Sequence, residues 1–219
     1  MDYATLLGQT NVPGSIANWV NHQAAQGAAP VIVEEAQSFI YRRLRHWKMK
    51  KTVTGNLSTS NQFLTLPTDY LEDKLFITPG VYYRRYFRKT EEEVFARFAF
   101  DGNGVPVPQQ PSIFYSDQTN FNFDTIPDQN YPYTLMYFQQ PAPLGGNNLT
   151  NFLTLLYPRL VRCACMAGAA EFMKDMGQGN YDRTYWTAEA EKEILVAQIE
   201  SDRQVRSQET GMMLSGGGE

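Results

Sequence analysis

The chain has 219 residues, 42% of them hydrophobic and 19% charged, so it can bury a core of its own and is not globally disordered. Its formal net charge of −4 argues against a protein that coats nucleic acid by bulk attraction, and 13 Tyr with 13 Phe point to packed β-structure, extended interfaces, or both. Two Cys and two His are too few for a disulfide scaffold or a His-rich metal site, so no metal and no cofactor is expected.

A first helical block is expected over Ser15 to Val20, then a longer one from Pro30 to about Met49. Ile32, Val33, Ala36, Phe39, Ile40, Leu44 and Trp47 fall on one stripe of a 3.6-residue wheel, with Glu34, Glu35, Ser38, Arg42 and Arg45 opposite. Pro30 suits the first turn of that helix. Arg43 projects into the stripe, where a long cationic side chain is expected to snorkel. After Lys50 the period changes. Thr52–Thr54, Phe63–Leu66, Lys74–Thr78 and Val81–Phe87 read as strands, and Gly55–Asn61 as a polar connection. Thr90 followed by Glu91, Glu92 and Glu93 reads as a capping box that opens a short helix to Phe98. Beyond a Gly- and Pro-rich loop, Ser112–Tyr115, Asn120–Phe123 and Tyr133–Phe138 complete a set of aromatic strands.

Pro141, Pro143, Gly145 and Gly146 mark the return to helical periodicity. Pro158 opens a helix to about Met176, with Gly177 and Gly179 as stops. A second long helix is expected from Tyr181 to about Arg206, with Trp186, Ala190, Ile194 and Ala197 on one stripe. Ser207–Glu219 ends in Ser-Gly-Gly-Gly-Glu and is expected to have no fold of its own. The fold class is therefore α+β. A helical bundle is built from residues 1–50 and 150–206, a mostly antiparallel β domain over 51–149 is inserted in it, and 207–219 form a flexible C-terminal arm.

Nothing in the sequence demands an enzyme. There is no Gly-x-Ser-x-Gly elbow, Walker loop or dinucleotide fingerprint, so no catalytic residue is named. Cys163 and Cys165 lie two apart on a helix and point about 200° away from each other, so they are expected to be buried thiols rather than a ligand pair. The small residues around them, Ala164, Ala167, Gly168, Ala169 and Ala170, allow another helix to approach closely. The opening Met1–Leu7 has no basic n-region and no long apolar run, and the weakly polar run Val161–Ala170 is too short for a span. The expectation is a chain made in the cytoplasm, with no membrane partner.

The cations are grouped. Arg42, Arg43, Arg45, Lys48, Lys50 and Lys51 form one stretch, and Arg84, Arg85, Arg88 and Lys89 a second, in which aromatics alternate with cations as in single-strand binders. Contacts to a neighbouring subunit or to nucleic acid are therefore expected at Arg42, Arg45, Lys48, Arg84, Arg85 and Arg88. One alternative for the whole chain is a nucleic-acid-binding module that uses Tyr82–Lys89. The other is an exposed strand whose arginines meet Glu91–Glu93 or a neighbour's acids.

Two further segments are specific. Asn61-Gln62-Phe63-Leu64-Thr65-Leu66-Pro67-Thr68-Asp69-Tyr70-Leu71-Glu72 is a strand ending in Leu-Pro, then Asp-aromatic-Leu. Thr150-Asn151-Phe152-Leu153 is followed by Pro158 at the head of a long helix, and the basic, aromatic Tyr41-Arg42-Arg43-Leu44-Arg45 precedes both. In this order they resemble the head–tail adaptor (connector, head-completion) proteins of tailed bacteriophages, particularly of short-tailed phages. The resemblance implies a structural virion protein of the neck. It would form a homo-oligomeric ring, a dodecamer, docked beneath the portal protein, with tail nozzle or tube proteins below and genomic DNA passing through without specific binding. It also implies a C-terminal arm that reaches the portal, here expected to use Arg206, Gly211, Met212, Met213 and Leu214. The strongly aromatic Ser112–Phe138 region departs from the family pattern.

Overall fold

A computed structural model describes residues 2–8, 15, 16, 18, 23–59, 61–79, 84–98, 100–103, 107–175 and 182–215, with the side chains of 23–26, 174–175 and 208–215 left outside that description. The chain divides into two units, one of residues 1–49 with 141–219 and one of residues 50–140. The helical and sheet parts foreseen from the change of periodicity are both present, and the strands sit between N- and C-terminal helices in the chain order.

The helical unit holds a short α1 (Tyr3–Leu7), the long α2 (Gln23–Arg43), α4 (Phe152–Leu156), α5 (Pro158–Asp175) and α6 (Arg183–Ser215). Helix α2 starts earlier than expected and carries Pro30 in its interior rather than its first turn. An interior proline costs a helix about 3 kcal/mol. Here strong helix formers, Ala24, Ala25, Ala28 and Ala29, precede it, and packing of the following stripe outweighs the loss. Ile32, Val33, Ala36, Ile40 and Leu44 are all buried, as the wheel requires. The helix ends at Arg43 instead of continuing to Met49, and a 3-10 turn, Trp47–Met49, follows. Pro158 does open α5. Helix α6 buries Ala190, Ile194, Ala197 and Ser201, one side chain per turn. Its backbone stays helical to Ser215, past the expected end near Arg206. Helix-compatible Ser207–Thr210 and the good helix formers Met212, Met213 and Leu214 continue the coil, and a single Gly211 costs only about 1 kcal/mol.

The segment after Gln140 belongs with the helices, where strand membership up to residue 149 was expected. Gln37 of α2 explains why. Its Oε1 accepts from Leu144 N at 2.8 Å, and its Nε2 donates to Val33 O at 3.3 Å. Tyr3 N donates to Leu149 O at 2.7 Å. Asn151 caps α4 through Leu153 N and Thr154 N, in a reciprocal box with Thr154. Its Nδ2 donates to Tyr41 Oη at 3.1 Å.

The second unit is two four-stranded sheets. β1 (Lys50–Leu57), β8 (Tyr131–Gln139), β3 (Tyr70–Thr78) and β4 (Arg84–Arg85) form one, in that order. The other runs β2 (Phe63–Thr65), β7 (Asn120–Phe123), β6 (Ile113–Ser116), β5 (Phe87–Arg88). All pairings are antiparallel except β5 with β6. β1 extends through Gly55 to Leu57, where a polar connection was expected, because every residue of it pairs with β8. The inner faces share one aromatic core in which Phe76, Tyr86, Phe114, Phe121, Phe123 and Tyr137 are almost fully buried. Phe76 is its centre, with the rings of Tyr86, Phe114 and Phe121 at centroid distances of 4.7, 5.4 and 5.6 Å. Such offset and edge-on contacts add to simple burial. Helix α3 (Glu91–Ala96) opens with the expected capping box between Thr90 and Glu93.

Candidate functional site

The basic stretch at the end of α2 separates into different roles. Arg42 is exposed. The Arg43 guanidinium carbon lies 4.1 Å from the centre of the Phe39 ring, and its Nε 4.0 Å from Glu191 Oε1, so the charged head itself folds over a ring of the apolar stripe, half exposed, where a snorkelling stem was expected. Arg45 turns back instead. Its Nη1 donates to Tyr41 O at 2.8 Å and to Leu44 O at 3.1 Å, which satisfies carbonyls that the end of α2 leaves open. Lys48 is exposed, its Nζ 5.4 Å from the Trp47 ring centre.

Between these cations lies a buried group with a catalytic look. His46 Nε2 is 3.2 Å from Tyr157 Oη, and Tyr157 Oη donates to Glu200 Oε2 at 2.9 Å. The His46 ring stacks on Phe152, with centroids 5.2 Å apart. His46 is 1% exposed, and burial, then the Glu200 carboxylate, pushes the Tyr157 phenol up to about 12. A phenol held protonated between a buried imidazole and an exposed carboxylate serves as a tie. With Trp47 N donating to Ser201 Oγ at 2.9 Å and Gln198 Nε2 to Arg43 O at 2.9 Å, it pins the turn after α2 onto α5 and α6.

The second basic segment forms a real concavity. Arg84, Arg85, Phe87 and Lys89, with Arg97 from the C-cap of α3 and Gln110 from the loop before β6, line an open cleft of about 850 Å³. Arg84 donates to Gln110 Oε1, the Arg85 guanidinium carbon lies 5.6 Å from the Phe87 ring centre, and Lys89 Nζ is 3.0 Å from Glu93 Oε1. Arg88 is turned the other way by strand alternation. It donates to Asp73 Oδ1 at 2.9 Å and Ser116 Oγ at 2.6 Å. The aromatic array of the nucleic-acid reading is thinner than expected. Tyr86 is 2% exposed, with its hydroxyl 2.6 Å from Thr78 Oγ1, so it belongs to the core, and Tyr82 and Tyr83 lie outside the described residues. Phe87, 54% exposed, is the ring that the cleft presents. Gln110 could not be found from sequence, because it is the β5–β6 pairing that carries the loop before β6 to the basic strand, and Arg97 is brought back to it by the end of α3.

Arg206 is exposed on α6. Gly211, Met212, Met213 and Leu214 continue the helical backbone, and their side chains are outside the described residues. Cys163 and Cys165 are both buried, as expected, and burial pushes the Cys165 thiol up to about 12. Among the described residues no three His, Cys, Asp or Glu side chains gather to hold a metal ion, and no helix is long and apolar enough to cross a membrane.

What the surface offers is contact area, basic at one place and apolar at others, which is the equipment of a protein that binds other macromolecules. The family model of the SU10 adaptor protein matches residues 1–212, and the chain belongs to that family. It is thus a phage adaptor, a structural virion component, in agreement with the head–tail adaptor resemblance of its sequence. No curated protein matches the chain.

Proposed function

We propose that this chain is the ring-forming head–tail adaptor of a short-tailed phage. Twelve copies, made in the host cytoplasm, sit beneath the portal protein at the head–tail interface. Tail nozzle or tube proteins attach below, and the genome leaves through the central opening. The family match over residues 1–212 is the observation that carries this reading. Physical fit supports it. A ring closed by rotation needs two unlike lateral faces, and a passage for DNA works best without a grip on it, in keeping with a net charge of −4. The end of α6 is the docking arm, with Met212, Met213 and Leu214 as adaptable apolar anchors. Electron microscopy of the protein mixed with its portal should show stacked rings, and purified virions should hold the chain in stoichiometric amount. Trace amounts in virions, or particles with an unoccupied portal base, would reject the reading.

The second reading, a nucleic-acid-binding module, is favoured by the cleft that gathers Arg84, Arg85, Lys89 and Arg97 around Phe87. Filter binding across a salt series separates the two, because phosphate binding must weaken steeply as salt rises. For an adaptor, retention on the filter should be weak at every salt concentration.

A further inference from the structure

Residues 84–88 supply an edge strand to each sheet. β4 ends the order of the first sheet and β5 the order of the second, and the chain passes from one to the other at Tyr86, whose ring is in the core. Among the described residues no further strand covers this edge, so it is open to an extended chain.

The charge on the edge is not balanced from within. Ion pairs of the sheet unit join Lys51 to Asp69, Arg88 to Asp73 and Lys89 to Glu93. Arg84, Arg85 and Arg97 are exposed and meet no carboxylate within ion-pair reach among the described residues. Every Asp and Glu of residues 50–140 is among those residues, so the shortfall belongs to the sheet unit itself. Arg84 meets only the neutral Gln110, and Arg85 the Phe87 ring. Asp124 lines a smaller hollow of about 240 Å³ beside the cleft with Arg84 and Arg97, but its carboxylate accepts from Ser112 N at 3.0 Å and Ser112 Oγ at 2.6 Å. Glu91 and Glu92 stand at the opposite end of α3 from Arg97, where the helix N-terminus favours them.

We propose that this cleft takes an extended acidic segment of another virion protein, with carboxylates on Arg84, Arg85 and Arg97 and an apolar side chain on Phe87. The inference rests on the adaptor reading for the source of the partner, and gives the sheet unit a partner of stated chemistry. Guanidinium forks match carboxylates two oxygens at a time, and an open sheet edge adds main-chain hydrogen bonds to an extended peptide. Cations along the edge turn away a second copy of the same edge and admit a strand that carries acids. Nucleic acid fits less well. A single strand is followed by successive stacking rings, and the cleft presents one. A phosphate at every step would also bring negative charge to Asp124 and to Glu93 beside Lys89, whereas a peptide can space its acids.

The test is fluorescence polarisation of the full chain with a short fluorescein-labelled peptide of alternating Glu and Val. A Gln–Val peptide and oligothymidylate of equal length are the comparisons. The Glu–Val peptide should bind, and more tightly than either. Arg84→Ala, Arg85→Ala and Arg97→Ala should each weaken it roughly tenfold at an unchanged melting temperature, as loss of a charge-assisted contact does. Arg203→Ala, at an exposed position of α6, should leave binding as it is. Equal binding of the Glu and Gln peptides, tighter binding of oligothymidylate, or equal weakening by Arg203→Ala would overturn the proposal. In particles, Arg84→Glu with Arg85→Glu and Arg97→Glu should leave rings on the portal and lose another virion protein, and complete particles would overturn the proposal as well. The two readings fail separately. Stacked rings with no preference for the Glu–Val peptide remove the acidic partner and keep the adaptor, whereas that preference without rings does the reverse.

Discussion

Gly55 stands opposite Tyr133 in the β1–β8 pairing, and a Cβ there would come within 2.7 to 2.9 Å of the Tyr133 ring. Strand propensity favours any β-former over glycine, but here the ring occupies the space a side chain would need. Gly55→Ala should therefore destabilise the sheet unit, by about 1–3 kcal/mol for overpacking a filled site. Denaturant titration checks the sign, and a more stable variant would show that the ring moves aside freely. The same local argument applies to Tyr157, whose hydroxyl meets both His46 Nε2 and Glu200 Oε2. Tyr157→Phe keeps the ring and removes the tie, losing the contact to the buried His46 ring and the hydrogen bond to the exposed Glu200 carboxylate, at a cost of about 1–3 kcal/mol. If that variant melts with the wild type, the network is ornamental and the turn after α2 is held by packing alone.

Helix α6 combines a buried side that builds the bundle with an exposed side and a C-terminal extension. Because the last buried side chain among the described residues of α6 is Ser201, deleting residues 207–219 should leave the melting temperature nearly unchanged. On the adaptor reading the same deletion should abolish portal binding in a pull-down, and a truncated chain that still docks would show that the arm is not the anchor. Elements of this kind were legible where one physical signal ruled locally. The capping box at Thr90 and Glu93 and the proline at the head of α5 were read correctly because each depends only on its neighbours. Pro30 misled because tertiary packing of α2 overrides a local cost, and Gly55 misled because the partner ring that needs it lies far along the chain. The candidate cleft was half legible. Arg84, Arg85 and Lys89 lie within six residues of sequence, whereas Arg97 joins them through the end of α3 and Gln110 through sheet pairing, and Tyr86 was lost to the core by strand alternation.

At the scale of the whole molecule, each unit closes its own core: the sheet unit around Phe76, the helical unit along the buried stripes of α2, α5 and α6. Much of the aromatic content that first suggested packed β-structure thus went inside, and six of the ten described tyrosines are buried. Burial raises the phenols of Tyr41, Tyr70, Tyr86, Tyr115, Tyr131, Tyr133, Tyr137 and Tyr157 above their ordinary value near 10. The folded chain keeps these protons at a pH where the unfolded chain gives them up. Their contribution to stability is therefore whole below about pH 10 and is lost as pH rises through the folded values, which for Tyr157 means about 12. Six of the eight lie in residues 50–140, so the sheet unit bears most of this dependence. Raising the pH from 9 should lower the melting temperature steeply above about pH 10, and the buried phenols should ionise together with loss of near-UV dichroism, as one cooperative step. Reversible tyrosinate absorbance that develops fully near pH 10, with the dichroism intact, would mean that these phenols reach water in the folded state. The aromatic core would then be open where the packing around Phe76 requires it to be closed.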